Sequence, residues 1–285
     1  MRYAEVIGDP IAQSKSPIIH KYWLDRLKLT RDYRRTLVSP DALAGFLEAR
    51  RVDPDWLGCN VTIPHKESAA KLVDEIDETA KAIGATNCIL PRAGGLWATN
   101  TDVDGIAAAL DGVDLDGRKA VIIGGGGAAR AAIFYLGERR AETLVLVRNP
   151  EMAKRLRNLD PKIEIAALTT ASTMIAGAVA IINASPLGMM GCPAMAPELL
   201  AAVARHAPGS TLLDMVYNPL ETRFLAAGTE AGARVIDGLT MLIGQASRAF
   251  ELFFGAKPPP TDERLRDILV GNHSSDSGYK QGSKH

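Results

Sequence analysis

Lys119-Ala120-Val121-Ile122-Ile123-Gly124-Gly125-Gly126-Gly127-Ala128-Ala129 is the stretch that fixes the fold class. Its first five residues read as a short strand, and Ala128 to Arg139 is helical in composition. The glycines between them satisfy G-x-G-x-x-A at a strand-to-helix junction. Gly124 permits the tight turn, Gly126 lets the backbone approach a pyrophosphate, and Ala129 allows close helix–strand packing. The helix start, Gly127 and Ala128, offers free N–H groups and a partial positive charge to the phosphates. A glycine-rich turn without a ligand is the bland alternative, and the flanking strand and helix weigh against it.

Downstream, Thr143 to Val147 (TLVLV), Val179 to Asn183, Thr211 to Val216 and Arg234 to Ile236 are strand-like. Glu151 to Leu159 is amphipathic, with Lys and Arg outward. Strands alternating with helix-length segments imply right-handed βαβ units and a parallel sheet. The expectation for 103–238 is thus a Rossmann-type, doubly wound nucleotide-binding domain. The second strand ends Val147-Arg148-Asn149-Pro150, with no acid before Glu151. A free ribose 2′-OH usually meets Asp or Glu at this point, whereas a 2′-phosphate favours Arg. Arg148 therefore favours NADP(H); its other reading is a solvated surface arginine.

Residues 1–102 read as a separate α/β domain. Tyr3 to Ile7, Tyr33 to Val38, Leu57 to Thr62 and Asn87 to Leu90 are its strand candidates. Ser16-Pro17 opens a helix through Leu29, with Pro well placed in the first turn. Pro40 to Arg51 and Lys66 to Val73 are further helix candidates. Within 239–271, Leu239 to Phe254 and Asp262 to Val270 are expected to cross back, pack on the first domain and close a cleft. The tail, 272–285, is rich in Ser, Gly, Lys and His and is expected to be disordered.

Composition narrows the function classes. The chain has 285 residues, 47% hydrophobic and 23% charged, enough apolar material for two cores. Lys plus Arg and Asp plus Glu balance at 33 each, so no overall field attracts nucleic acid or an acidic membrane. No signal peptide and no run near membrane-span length is visible. Cys59, Cys88 and Cys192 lie far apart without metal-ligand spacing. Reduced thiols, a cytoplasmic location and no metal are the expectation, with a monomer and a homodimer both open.

Three polar clusters in the first hundred residues point beyond structure. They are Gln13-Ser14-Lys15-Ser16-Pro17, Asn60-Val61-Thr62-Ile63-Pro64-His65-Lys66, and Gly84-Ala85-Thr86-Asn87 with Asn100-Thr101-Asp102. Singly, each has an ordinary use. Ser14, Ser16 or Asp102 can cap a helix. Asn60 and Thr62 can finish a strand edge, and Lys66 can be a solvated first-turn lysine.

Together they resemble the shikimate dehydrogenase family. S-x-S-P-x-x-H matches Ser14, Ser16, Pro17 and His20, and N-V-T-x-P-x-K matches Asn60 to Lys66. G-A-x-N, N-T-D and the glycine loop match as well, as do Asn183 to Met189, Asp214 to Thr222 and Gly238 to Gln245. The resemblance runs from about Val6 to Gly255. It implies reversible reduction of 3-dehydroshikimate to shikimate with NADPH, on the route to chorismate and the aromatic amino acids. It implies Lys66 and Asp102 as the proton-transfer pair. Ser14, Ser16, Asn60, Thr62, Asn87, Tyr217 and Gln245 would bind substrate, and Met215, Gly238 and Glu78 would join the cofactor site. Departures exist too. No second Arg follows Arg148 closely, Cys88 stands where the family usually has Thr, and Lys21 replaces a polar amide. The first leaves some NAD use open. Two other readings remain: a relative acting on quinate, against which Ser16 argues, and a non-catalytic ligand sensor, which has no need of Lys66 and Asp102.

Overall fold

The alternation of apolar runs and helix-length segments builds two six-stranded sheets. The computed structural model describes residues 1–271; the expectation for 272–285 lies outside the described residues. The first sheet and its helices comprise β1 (Tyr3–Gly8), α1 (Ser16–Arg26), β2 (Asp32–Leu37), α2 (Leu43–Arg51), β3 (Trp56–Val61), α3 (Lys66–Ala69), β4 (Glu75–Ile76), α4 (Glu78–Ile83), β5 (Cys88–Arg92) and β6 (Gly95–Thr99). Helix α5 (Asp102–Ala109) leads to the second set. That set is β7 (Lys119–Ile123), α6 (Gly127–Glu138), β8 (Glu142–Val147), α7 (Pro150–Ala153), β9 (Glu164–Ala167), α8 (Ala171–Met174), β10 (Ala180–Asn183), α9 (Pro197–His206), β11 (Thr211–Asp214), α10 (Arg223–Glu230) and β12 (Arg234–Ile236). Helices α11 (Gly238–Phe254) and α12 (Glu263–Val270) close the described chain.

The second sheet is all parallel, in the order β12-β11-β10-β7-β8-β9. Numbered within that sheet and taken from the β9 edge, this is 3-2-1-4-5-6, the doubly wound dinucleotide order. The glycine loop leaves the carboxyl end of β7, between β8 and β10, where the order reverses and such sheets open a ligand crevice. The first sheet runs β2-β1-β3-β5-β6-β4 and is mixed: β1 is parallel to β2 and β3, while β5 is antiparallel to β3 and β6.

The returning helices are fixed by both burial and hydrogen bonds. Leu239, Ile243, Phe250 and Phe253 of α11 and Leu265 and Leu269 of α12 share one core with Ile19, Trp23 and Leu24 of α1. Each such buried side chain is worth about 1.5–3 kcal/mol. Asp262 caps α12 by accepting from Leu265 N at 2.9 Å, and it also accepts from Tyr22 Oη of α1 at 2.7 Å. Between the sheets, α5 and α11 lie almost backbone to backbone. A Cβ at Gly105 would stand 2.5 Å from Met241 O, and one at Gly244 would stand 2.9 Å from Ala108 Cβ. The expected boundary at 102/103 falls at the first turn of α5, and that at 238/239 falls inside α11.

Several elements differ from expectation. Helix α1 stops at Arg26, because Lys28 turns left-handed at φ 54°. The run expected as a helix over 66–73 is helical only to Ala69, since the chain must then turn to pair β4 with β6. Over 151–159, one α-turn passes into a 3₁₀ stretch, Lys154–Asn158, which sinks Leu156 into the core near Gly125. Strands β4, β6 and β9 and helices α4, α8, α9 and α10 were not expected.

Candidate active site

Strand β3 ends in polar residues that turn into α3, so Lys66 is the first residue of that helix. Its side chain is 15% exposed, and its Nζ donates to Asp102 Oδ2. Asp102 opens α5 but does not cap it. Its second oxygen, Oδ1, accepts from Asn87 Nδ2 at 2.9 Å, and its backbone N–H donates to Asn100 Oδ1 at 3.1 Å. Asn87 Oδ1 accepts from Thr101 N at 2.7 Å, and Gln245 Oε1 on α11 lies 3.3 Å from Asn87 Nδ2. Four segments thus converge on one carboxylate and one ammonium: the start of α3, the start of β5, the start of α5 and the middle of α11.

The serines do not act as caps either. The residue capping α1 is Lys15, and no side chain caps that helix. Ser14 and Ser16 are buried, 5% and 4% exposed, and the one hydrogen bond between them is Ser16 N to Ser14 Oγ at 3.4 Å. Thr62 Oγ1 and Tyr217 Oη make no hydrogen bond among the described residues. Burial raises the Tyr217 phenol, and the nearby Arg35 charge opposes the rise. Asn60 is a different case. Its Oδ1 accepts from Tyr33 Oη at 2.6 Å and its Nδ2 donates to Asn87 O at 3.1 Å, leaving one amide hydrogen for a ligand.

The glycine loop fits a dinucleotide phosphate. Gly124 has φ 122°, and a Cβ there would press on Ala184 O at 2.9 Å. A Cβ at Gly126 would meet nothing within 4 Å, so open space lies over the start of the twelve-residue helix α6. A Cβ at Gly127 would stand 3.2 Å from Lys66 Cδ, which sets the phosphate loop directly against the lysine stem. Buried Ala129 packs under the loop, and Ala128 beside it is half-buried. Gly238 approaches the 215–216 backbone, where a Cβ would be 2.5 Å from Val216 O, so Met215 and Gly238 are neighbours. Arg148 is exposed and unpaired among the described residues at the end of β8. Glu78 is exposed at the start of α4 and shares no hydrogen bond with any of these groups.

Supporting residues went unassigned in the sequence. Asp214 is fully buried and accepts from Asn183 Nδ2 at 2.9 Å, Val216 N at 3.0 Å and Thr222 Oγ1 at 2.6 Å. It pins the 215–222 loop to β10 and to the cap of α10. Burial without a cation pushes its carboxyl up to about 6, against the pull of these donors. Arg130 of α6 donates Nε to Ile83 O at 2.6 Å, tying the helix after the glycine loop to the end of α4. The motif matches at 183–189 and 214–222 marked the first set; nothing marked Arg130.

Comparison with known proteins accords with this geometry. Residues 6–89 match the shikimate dehydrogenase substrate binding domain, and 238–263 match the shikimate 5′-dehydrogenase C-terminal domain. A curated shikimate dehydrogenase (NADP(+)) from Sphingopyxis alaskensis is 44% identical over 94% of this chain and 97% of its own length. The chain belongs to the shikimate dehydrogenase family. Among solved members, a shikimate dehydrogenase in complex with NADP+ superposes with a TM-score of 0.84 at 30% identity, covering 95% of both chains. The shikimate 5-dehydrogenase of Thermus thermophilus, in complex with NADP(H) and shikimate, gives 0.81 at 32% identity, covering 95% of this chain and 99% of that one. No helix among the described residues is long and apolar enough to cross a membrane.

Proposed function

We infer that the chain is an NADP-dependent shikimate dehydrogenase, interconverting 3-dehydroshikimate and shikimate in the biosynthetic route to chorismate, with a cytoplasmic location. The observation that carries the reading is the Lys66–Asp102 pair lodged against the start of the helix that follows the glycine loop. When bound, the nicotinamide supplies or accepts the hydride. Lys66 gives a proton to the ketone oxygen on which charge develops and takes it back in the oxidative direction, an effect typically worth ~10²–10⁴-fold. Asp102, held by Asn87, orients the ammonium and accepts from a ring hydroxyl. Ser14, Ser16 and Tyr217 hold the carboxylate, while Thr62, Asn60, Asn87 and Gln245 read the hydroxyls. Buried donors and acceptors of this kind penalise a substrate that leaves them unpaired. Gly124, Gly126, Gly127, Ala128 and Ala129 take the pyrophosphate, and Arg148 takes the 2′-phosphate. Met215 and Gly238 would flank the nicotinamide ring, and Glu78 would join the cofactor site, as the resemblance implies.

The test is nicotinamide absorbance at mildly alkaline pH with shikimate or quinate and NADP+ or NAD+. Shikimate with NADP+ is expected to give the highest kcat/KM. Equal or faster turnover of quinate or NAD+ would shift the assignment to a quinate-type relative. No turnover with any pair would leave a ligand sensor.

A further inference from the structure

A carboxylate taken from water into a protein needs hydrogen bonds and also a balancing charge. Ser14, Ser16 and Tyr217 supply only neutral hydroxyls. The lysine between the serines does not supply the charge, because Lys15 Nζ is turned to the carbonyl of Leu269 near the end of α12. Arg35 is placed differently. Strand alternation puts it on the face of Tyr33, opposite Val6 in register, on the edge strand β2. Its Nε donates to Ser14 O at 2.9 Å, and its charge is felt at Tyr217. It makes no ion pair among the described residues, so its terminal NH₂ groups stay free. Its neighbour Arg34, on the other face, is already engaged by Asp32 at 2.9 Å and by the Tyr3 ring.

We propose that Arg35 is the counter-charge for the carboxylate of the substrate, a specificity-determining residue that selects an acidic ring over a neutral polyol ketone. The inference rests on the reading of the site as a shikimate site. A guanidinium offers two parallel donors to a carboxylate, whereas the hydroxyls across the site offer one each. The Nε bond to Ser14 O keeps the guanidinium beside the serine turn.

The experiment compares shikimate with its methyl ester in the wild-type chain, Arg35→Met and Arg35→Lys. In Arg35→Met the KM for shikimate is expected to rise about 10- to 100-fold, with kcat and the KM for NADP+ nearly unchanged. The kcat/KM for the ester should hold, so the preference for acid over ester collapses by the same factor. Arg35→Lys should recover most of the loss, and added salt should weaken acid binding less in Arg35→Met than in wild type. Parallel losses for acid and ester would overturn the proposal and make Arg35 an anchor of the serine turn. An unchanged KM for shikimate would overturn it outright. A wild-type chain that turns over neither compound would instead bring down the functional reading, and the inference with it.

Discussion

The fold gives one oxygen of Asp102 to Lys66 and the other to Asn87, and the carboxylate keeps lone pairs for a further donor. The N-T-D and G-A-x-N motifs marked Asp102 as the partner of Lys66 and Asn87 as a substrate ligand, but the bond between Asn87 and Asp102 joins two segments and was legible in neither. Asn60 shows what motifs leave out. Its carbonyl is consumed by Tyr33, a residue 27 positions upstream that meets it only across β1. Asp214 likewise meets Asn183, 31 positions upstream, only through space, so that part of its network is invisible in either segment alone. At the nucleotide end, Arg148 stands alone on an exposed strand end, which permits a clean test. Arg148→Ala should weaken NADPH binding by about tenfold or more, the scale of one lost charge-assisted contact, and leave NADH binding little changed. Titration of both nucleotides measures this. Equal losses would refute a 2′-phosphate role.

At the scale of elements, the parallel sheet was legible from its β-rich runs and its glycine turn. The short strands β4, β6 and β9 were not, since each gains its identity from a neighbour and not from its own pattern. The contact between α5 and α11 was equally hidden: nothing in Gly105 or Gly244 alone says that two helices meet there. Yet this contact carries the start of α5, and so Asp102, to Gln245 on α11. Gly105→Ala would place a Cβ 2.5 Å from Met241 O, which is backbone and cannot swing aside. Overpacking of this kind costs about 1–3 kcal/mol. Gly105→Ala is therefore expected to lower Tm and to raise the KM for shikimate, whereas Gly45→Ala, on α2 with open space around its Cβ, should do neither. Thermal unfolding and steady-state kinetics on the two variants check the difference.

Across the whole molecule, two sheets and the helices α5 and α11 set the Lys66–Asp102 pair against the glycine loop. The core of the first sheet contains a titratable group with a global consequence. His20 is fully buried against Tyr33, Trp23 and Phe250, and burial pushes its imidazole down to about 3. The unfolded chain protonates this residue near its ordinary 6.5, so the stability it contributes is full above that pH and is lost as the pH falls from about 6.5 towards 3. Asp214 works in the opposite sense, losing stability as the pH rises from about 4 to about 6. His20→Phe should therefore shrink the fall in unfolding free energy between pH 7 and pH 5 by ~2 kcal/mol in denaturant titrations. An unchanged pH dependence would show that His20 titrates alike in both states. In the proposed mechanism Lys66, steadied by Asp102, is the proton carrier for a substrate held beside the nucleotide of the glycine loop. The most direct measurement is kcat for Lys66→Ala with shikimate and NADP+, alongside a titration of NADPH binding. The kcat is expected to fall by ~10²-fold or more with NADPH affinity unchanged; a kcat that holds while the KM for shikimate rises would contradict a proton-transfer role for Lys66.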